Sequence, residues 1–221
     1  TTHATVSNNS GTLKINAGTM LMRADSSSSG QIQIASGAVL DYSGGNATIS
    51  GSVSNAGLLR QSAGNLTLTA AASIDGALQL DYGNFYNEGS HSVASLGLAG
   101  GNRGGSGLLT AGALTFSSGS LFGPGTTTIT GAASFSGSNN QYVDATHTLN
   151  LNGGASWSAG SGTISVGSNA RINVASGTTF VDAGTLNPSG NRYLAYSGNG
   201  SFNNAGTYER NGLGTTHAYG F

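Results

Sequence analysis

Val53-Ser54-Asn55-Ala56-Gly57 comes back along the chain as Phe85-Tyr86-Asn87-Glu88-Gly89 and Phe202-Asn203-Asn204-Ala205-Gly206, and more loosely as Phe180-Val181-Asp182-Ala183-Gly184. A phrase that returns with similar flanks marks an internal repeat: one unit, unable to bury its apolar face alone, is stacked on copies of itself. Asn55, Asn87 and Asn204 tolerate left-handed backbone angles, and their amides can bond to the equivalent group of the next copy. With Gly57, Gly89 and Gly206 they are read as structural turn and ladder residues.

Outward from these phrases the chain alternates. Thr12-Leu13-Lys14-Ile15-Asn16, Gln31-Ile32-Gln33-Ile34, Asn65-Leu66-Thr67-Leu68-Thr69, Ala77-Leu78-Gln79-Leu80, Thr148-Leu149-Asn150-Leu151-Asn152 and Arg171-Ile172-Asn173-Val174 each put apolar side chains on one face and polar ones on the other. No long segment has apolar residues at helical spacing, and glycine or a β-branched residue interrupts nearly every window. Units started near Gly11, Gln31, Asn46, Asn65, Asn84, Ser106, Thr126, Thr148, Arg171 and Asn191 give spacings of roughly 20 residues, within the solenoid range. The fold class expected is all-β: a right-handed parallel β-helix of about ten coils, one solenoid over residues 1–221, with a rod length of about 45 to 50 Å. A meander or sandwich is the rival, but the strands are short and evenly spaced, about three per unit, and hairpin dipeptides are scarce.

Composition sets the remaining bounds. The 221 residues include 38 glycines, only 7% charged residues and no cysteine, with a formal net charge of -1. A disordered polyelectrolyte is excluded by the low charge and the regular aliphatics. Phosphate binding needs several cations on one face, whereas Lys14 and the arginines stand singly, so nucleic acid is not an expected partner. No apolar run approaches the roughly 18 residues of a membrane span, and no signal peptide opens the chain. Low charge with Thr, Ser, Asn and Gly richness fits an exported bacterial protein, and the expected location is extracellular or at the cell surface.

Gly11-Thr12-Leu13-Lys14-Ile15-Asn16-Ala17-Gly18-Thr19 and Gly51-Ser52-Val53-Ser54-Asn55-Ala56-Gly57 resemble the repeats of large secreted bacterial β-helix proteins, the filamentous-haemagglutinin-type exoproteins and autotransporter passenger domains. The resemblance covers most of the chain and is specific for architecture. It implies a right-handed parallel β-helix, export, and roles in adhesion, aggregation or extracellular fibres. Asn187-Pro188-Ser189-Gly190 is similar in letters to a motif of that family's N-terminal cap, but it follows about eight coils and is read as a turn. An apolar strand at the C-terminal end has no cap after it, so the chain is expected to be a segment of a larger protein or a subunit stacked end to end.

Candidate chemistry is sparse. Leu40-Asp41-Tyr42 and Leu80-Asp81-Tyr82 lie about two coils apart, which places two carboxylates on one face roughly 10 Å apart, near the upper end for an inverting glycosidase. A shared corner explains the same repetition. Calcium-solenoid, zinc, P-loop and nucleophile-elbow patterns are absent from the sequence, and neither metal nor cofactor is expected. His3, His91, His147 and His217 read as exposed strand or turn residues, and Gly100-Gly101-Asn102-Arg103-Gly104-Gly105 as a flexible loop. Thr67-Leu68-Thr69 and Thr126-Thr127-Thr128-Ile129-Thr130 do not continue into an ice-binding ladder. Trp157 is expected in the core. Arg192, Tyr193, Tyr196, Tyr208, Arg210 and Tyr219 gather charge and aromatics near the C-terminal end and form the candidate contact surface, suited to sugar or protein. The expected function is a structural or adhesive rod, with self, glycans or a host or cell-surface protein as partners. A carbohydrate-active enzyme or a passive glycan-binding module is the alternative.

Overall fold

A computed structural model describes residues 6–158, 160, 162–184 and 191–218, and every strand pairing among them is parallel. The described chain winds as a β-solenoid of about nine turns, close to the expected ten, with no helix among the described residues.

Each turn carries three short strands. The first face begins with Val6–Asn9 and Asp25–Ser28 and runs through 46–49, 65–68, Asn84–Asn87, 102–104, Gln141–Val143 and Ile164–Val166 to Asn191–Tyr196 and Thr215–Ala218. The second face begins with Thr12–Ile15, Gln31–Ile34 and Ser52–Asn55 and ends with Thr126–Ile129, Thr148–Leu151, Arg171–Val174 and Ser201–Asn204. The third runs from Thr19–Met22 through 39–42, 58–61 and Ala77–Leu80 to Ala133–Phe135, Ala155–Trp157, Thr179–Asp182 and Thr207–Arg210. All six alternating segments read from the sequence fall on these strands, because period-two alternation is what a sheet with one buried face requires.

Parallel pairing in register stacks like on like. Leu40, Leu59, Leu78, Leu96 and Leu114 make one interior column, and Phe116, Phe135 and Trp157 close another, all at most 2% exposed. Phe116 to Phe135 and Phe135 to Phe180 are each 5.9 Å between ring centres, and Phe180 stacks on Tyr208 at 5.6 Å. Nonpolar contact therefore runs along the axis through the interior.

Between the third and first faces the corner is a glycine seam. Gly45, Gly64 and Gly83 all have φ between +67° and +81°. A Cβ on Gly64 would lie 2.2 Å from the Gly45 carbonyl oxygen, and one on Gly83 would lie 2.1 Å from that of Gly64. Only glycine meets both demands, left-handed backbone and direct contact with the coil below.

Candidate functional site

Each seam glycine is followed by asparagine: Gly45-Asn46, Gly64-Asn65, Gly83-Asn84 and, one coil further, Gly101-Asn102. Their side chains form a ladder on the first face. Asn65 Nδ2 donates to Asn46 Oδ1 at 2.9 Å, Asn84 to Asn65 at 3.1 Å and Asn102 to Asn84 at 3.1 Å. Asp25, which can only accept, ends the row by taking the Asn46 backbone N–H at 2.7 Å. A second ladder on the second face repeats the arrangement: Asn150 donates to Thr128 Oγ1 at 3.2 Å, Asn173 to Asn150 at 2.8 Å and Asn203 to Asn173 at 2.8 Å. The recurring Gly-Asn pair, spaced 19, 19 and 18 residues, is the sequence signal for the first ladder. The turn phrase used to find the repeat does not contain it. Replacing Asn84 with aspartate removes a donor and sets a carboxylate against the Asn65 carbonyl. A loss of about 1–2 kcal/mol is expected, measured by chemical denaturation.

The phrase residues sit at strand ends on two different corners. Asn55 closes a second-face strand, its backbone N–H donating to Asp75 and its Nδ2 to the Ala77 carbonyl at 2.7 Å. Asn87 closes a first-face strand, donates to the Gly89 carbonyl at 2.9 Å and meets His91 Nδ1 at 2.6 Å. Asn204 closes a second-face strand and bonds reciprocally with Gly206 at 3.2 Å. The glycines are packed against the previous turn: a Cβ would reach the Ala38 oxygen at 2.3 Å from Gly57, the Ala70 Cα at 2.7 Å from Gly89 and the Thr178 oxygen at 2.3 Å from Gly206.

The two carboxylates of the Leu-Asp-Tyr pairs are separated by a cation. Arg60, in register between Asp41 and Gln79, has Nη1 3.7 Å from Asp41 Oδ2 and donates from Nε to Asp81 Oδ2 at 2.5 Å. Ser62 donates to Asp41 at 2.7 Å and Gln79 to Asp81 at 2.8 Å. Asp41 is buried, 4% exposed. Its register partner Arg60 covers it and makes that burial tolerable.

At the C-terminal end a cleft of about 510 Å³ is lined by Tyr208, Arg210, Gly214, Thr215, Thr216 and Ala218. Three of the lining residues, Tyr208, Arg210 and Thr216, reach back to Asp182, which is fully buried beneath the cleft wall and does not itself line it. The Asp182 Oδ2 accepts from Tyr208 at 3.1 Å and from Thr216 at 2.6 Å, and lies 3.3 Å from Arg210 Nε. Arg210 also donates to the carbonyls of Asp182 and Leu213 at 3.1 and 3.0 Å, so its guanidinium pins the last strands together. Tyr193 stacks on His217 at 5.3 Å. The backbones of Arg192 and Tyr196 lie on the strand Asn191–Tyr196, while Tyr219 and Asn187-Pro188-Ser189-Gly190 lie outside the described residues.

Two expectations are overturned. Gly100–Gly105 is not a flexible loop: Asn102 is a ladder rung and Arg103 is fully buried. His91 and His147 are not exposed; they are 5% and 0% accessible. Their rings find partners inside the corner between the first and second faces, where hydrogen bonds offset the cost of burial. No group of three or more His, Cys, Asp or Glu among the described residues could hold a metal ion. The chain is a β-solenoid of stacked parallel coils, and comparison with known proteins finds no matching family model, no matching curated protein and no matching solved structure.

Proposed function

We propose that the chain is an architectural element: a stiff extracellular rod that forms, or belongs to, a bacterial surface fibre of the filamentous-haemagglutinin or autotransporter-passenger kind. The observation that carries the reading is the pair of axial asparagine ladders lying over a continuous parallel stack. Stiffness along one direction is what that arrangement supplies, since side-chain and backbone bonds both run along the axis. Between the ladders the faces display Ser, Thr and Asn, polar groups suited to many weak contacts with glycans or cell-surface protein. The mechanism needs no cofactor, nucleic acid or membrane insertion.

Negative-stain microscopy of the native material is the test. Filaments or uniform rods of constant width support the reading, whereas compact, non-elongated particles overturn it.

The cleft under Tyr208 favours a second reading, a glycan-binding end, because an aromatic ring beside polar groups suits a sugar. The enzymatic alternative is addressed at Asp41 and Asp81. Replacing both with asparagine leaves function intact in the architectural reading and costs about 1 kcal/mol of stability, since Arg60 is partly in water. Loss of polysaccharide turnover in that double variant, measured by reducing-end release, would support an enzyme instead.

A further inference from the structure

Polar side chains replace apolar ones in the interior at the corner between the first and second faces. In the first-face column Leu66, Phe85, Arg103, Leu121, Val143, Val166, a fully buried arginine stands where neighbours are apolar. In the adjacent second-face column Leu109, Thr127, Leu149, Ile172, a fully buried threonine does the same. The two meet at His147. Arg103 Nη1 lies 3.3 Å from His147 Nδ1, and Thr127 Oγ1 lies 3.0 Å from His147 Nε2. Arg103 Nη2 donates to the carbonyls of Gly107 and Thr126 at 2.6 and 3.2 Å, tying the turns of two successive coils together.

Among the described residues no acid is hydrogen-bonded to this guanidinium. The charged and titratable neighbours are few: Glu88, whose carboxylate accepts from the backbone and hydroxyl of Ser106 at 3.2 and 2.7 Å; His91, held by Asn87 and the Ala72 carbonyl; and Asp144, whose Oδ1 accepts from the Ala145 backbone. Arg171, just beyond on the next coil, is exposed. The turn that delivers His147 is itself strained. Ala145 and Thr146 have φ of +47° and +70°, a region that non-glycine residues, above all β-branched ones, occupy at a cost.

We propose that the Arg103–His147–Thr127 cluster is an acid-sensitive latch: a proton on His147 sets a second cation against a buried guanidinium to which no carboxylate among the described residues is hydrogen-bonded, and releases the turns at 105–107, 122–126 and 144–147. Burial, and then the Arg103 charge, hold His147 neutral, with its pKa lowered to about 3. Burial also lowers Arg103 to about 10, so it stays charged at neutral pH. A base whose folded pKa lies below the unfolded 6.5 contributes stability that is present above pH 6.5 and is lost as pH falls from 6.5 toward 3. Each pH unit within that window lowers the closed-to-open ratio of the latch about tenfold.

The experiment is hydrogen exchange on the intact chain between pH 7 and pH 4.5, corrected for intrinsic rates, reading the amides of Gly107, Gly125 and Thr126, each bonded to the coil before. Exchange there is expected to rise about a hundredfold over the two units below 6.5, while the Asn46 to Asn84 rungs stay protected. His147→Gln removes the titrating group and is expected to abolish that rise, whereas His91→Gln leaves it. Should His147→Gln fail to fold, imidazole chemical shifts of the native chain decide. A ring that stays neutral until the corner amides open supports the latch; one that titrates near 6.5 with those amides still protected overturns it. An unchanged rise in His147→Gln overturns it as well.

Discussion

Replacing Gly64 with valine is expected to strip hydrogen-exchange protection from the coils around residues 45–87 while leaving residues 126–174 protected. Gly64 has φ of +73° and the site of its Cβ falls 2.2 Å from the Gly45 oxygen. The backbone angle alone costs a β-branched residue about 1–3 kcal/mol. Relieving the overlap then requires the coil to lift from its neighbour, breaking seam hydrogen bonds worth about 1 kcal/mol each. Among them is the buried Gln61 staple, whose Nε2 donates to the Gly64 and Asn84 carbonyls, both at 2.9 Å. A total on the order of 5 kcal/mol is expected. Because a stacked array is stabilised mainly through nearest neighbours, the damage stays local, and coil-resolved exchange rather than a single melting curve is the measurement that shows it. Uniform loss along the whole chain would mean that the coils are far more strongly coupled than a nearest-neighbour stack allows.

Truncating Trp157 to alanine is expected to cost about 3–5 kcal/mol, the largest effect of any core substitution here. It is the largest fully buried side chain and lies directly after Phe135 in the column. The coils on either side cannot collapse into the void, since their spacing is fixed by backbone bonds. Trp157→Phe keeps an aromatic ring in the column and is expected to lose less than half as much. As Trp157 is the only tryptophan, its fluorescence reports the parent protein's unfolding. The variants are followed by circular dichroism in urea.

The faces are legible in the sequence because alternation is imposed by burial alone, residue by residue. Coil phase is harder to read. Units started at Gly11 and Gln31 follow the second face, those at Asn46, Asn65 and Asn84 follow the first, and Ser106 precedes a return to the second. The next first-face unit begins at Asn102, inside a glycine-rich run whose letters suggest a loop; the glycines are there because Gly101 and Gly105 pack against the coil before. Asn55, Asn87 and Asn204 share a phrase because each ends a strand at a tight corner, and a triangular coil has three such corners. The Arg103–His147 contact spans 44 residues and joins residue types that ordinarily face water, so no local pattern announces it.

The spacing of the Gly-Asn pairs makes each coil an interchangeable module. Excising residues 46–64 would join Gly45 directly to Asn65, carrying the seam and the ladder across the cut with every remaining side chain still on its own face. Excising one residue fewer would leave an extra residue to be taken up at a corner, as the difference between the 19- and 18-residue spacings already is. Length in such a chain therefore changes in whole coils of about 4.8 Å, and a gene that duplicates or loses one such block lengthens or shortens the rod without having to invent a new fold.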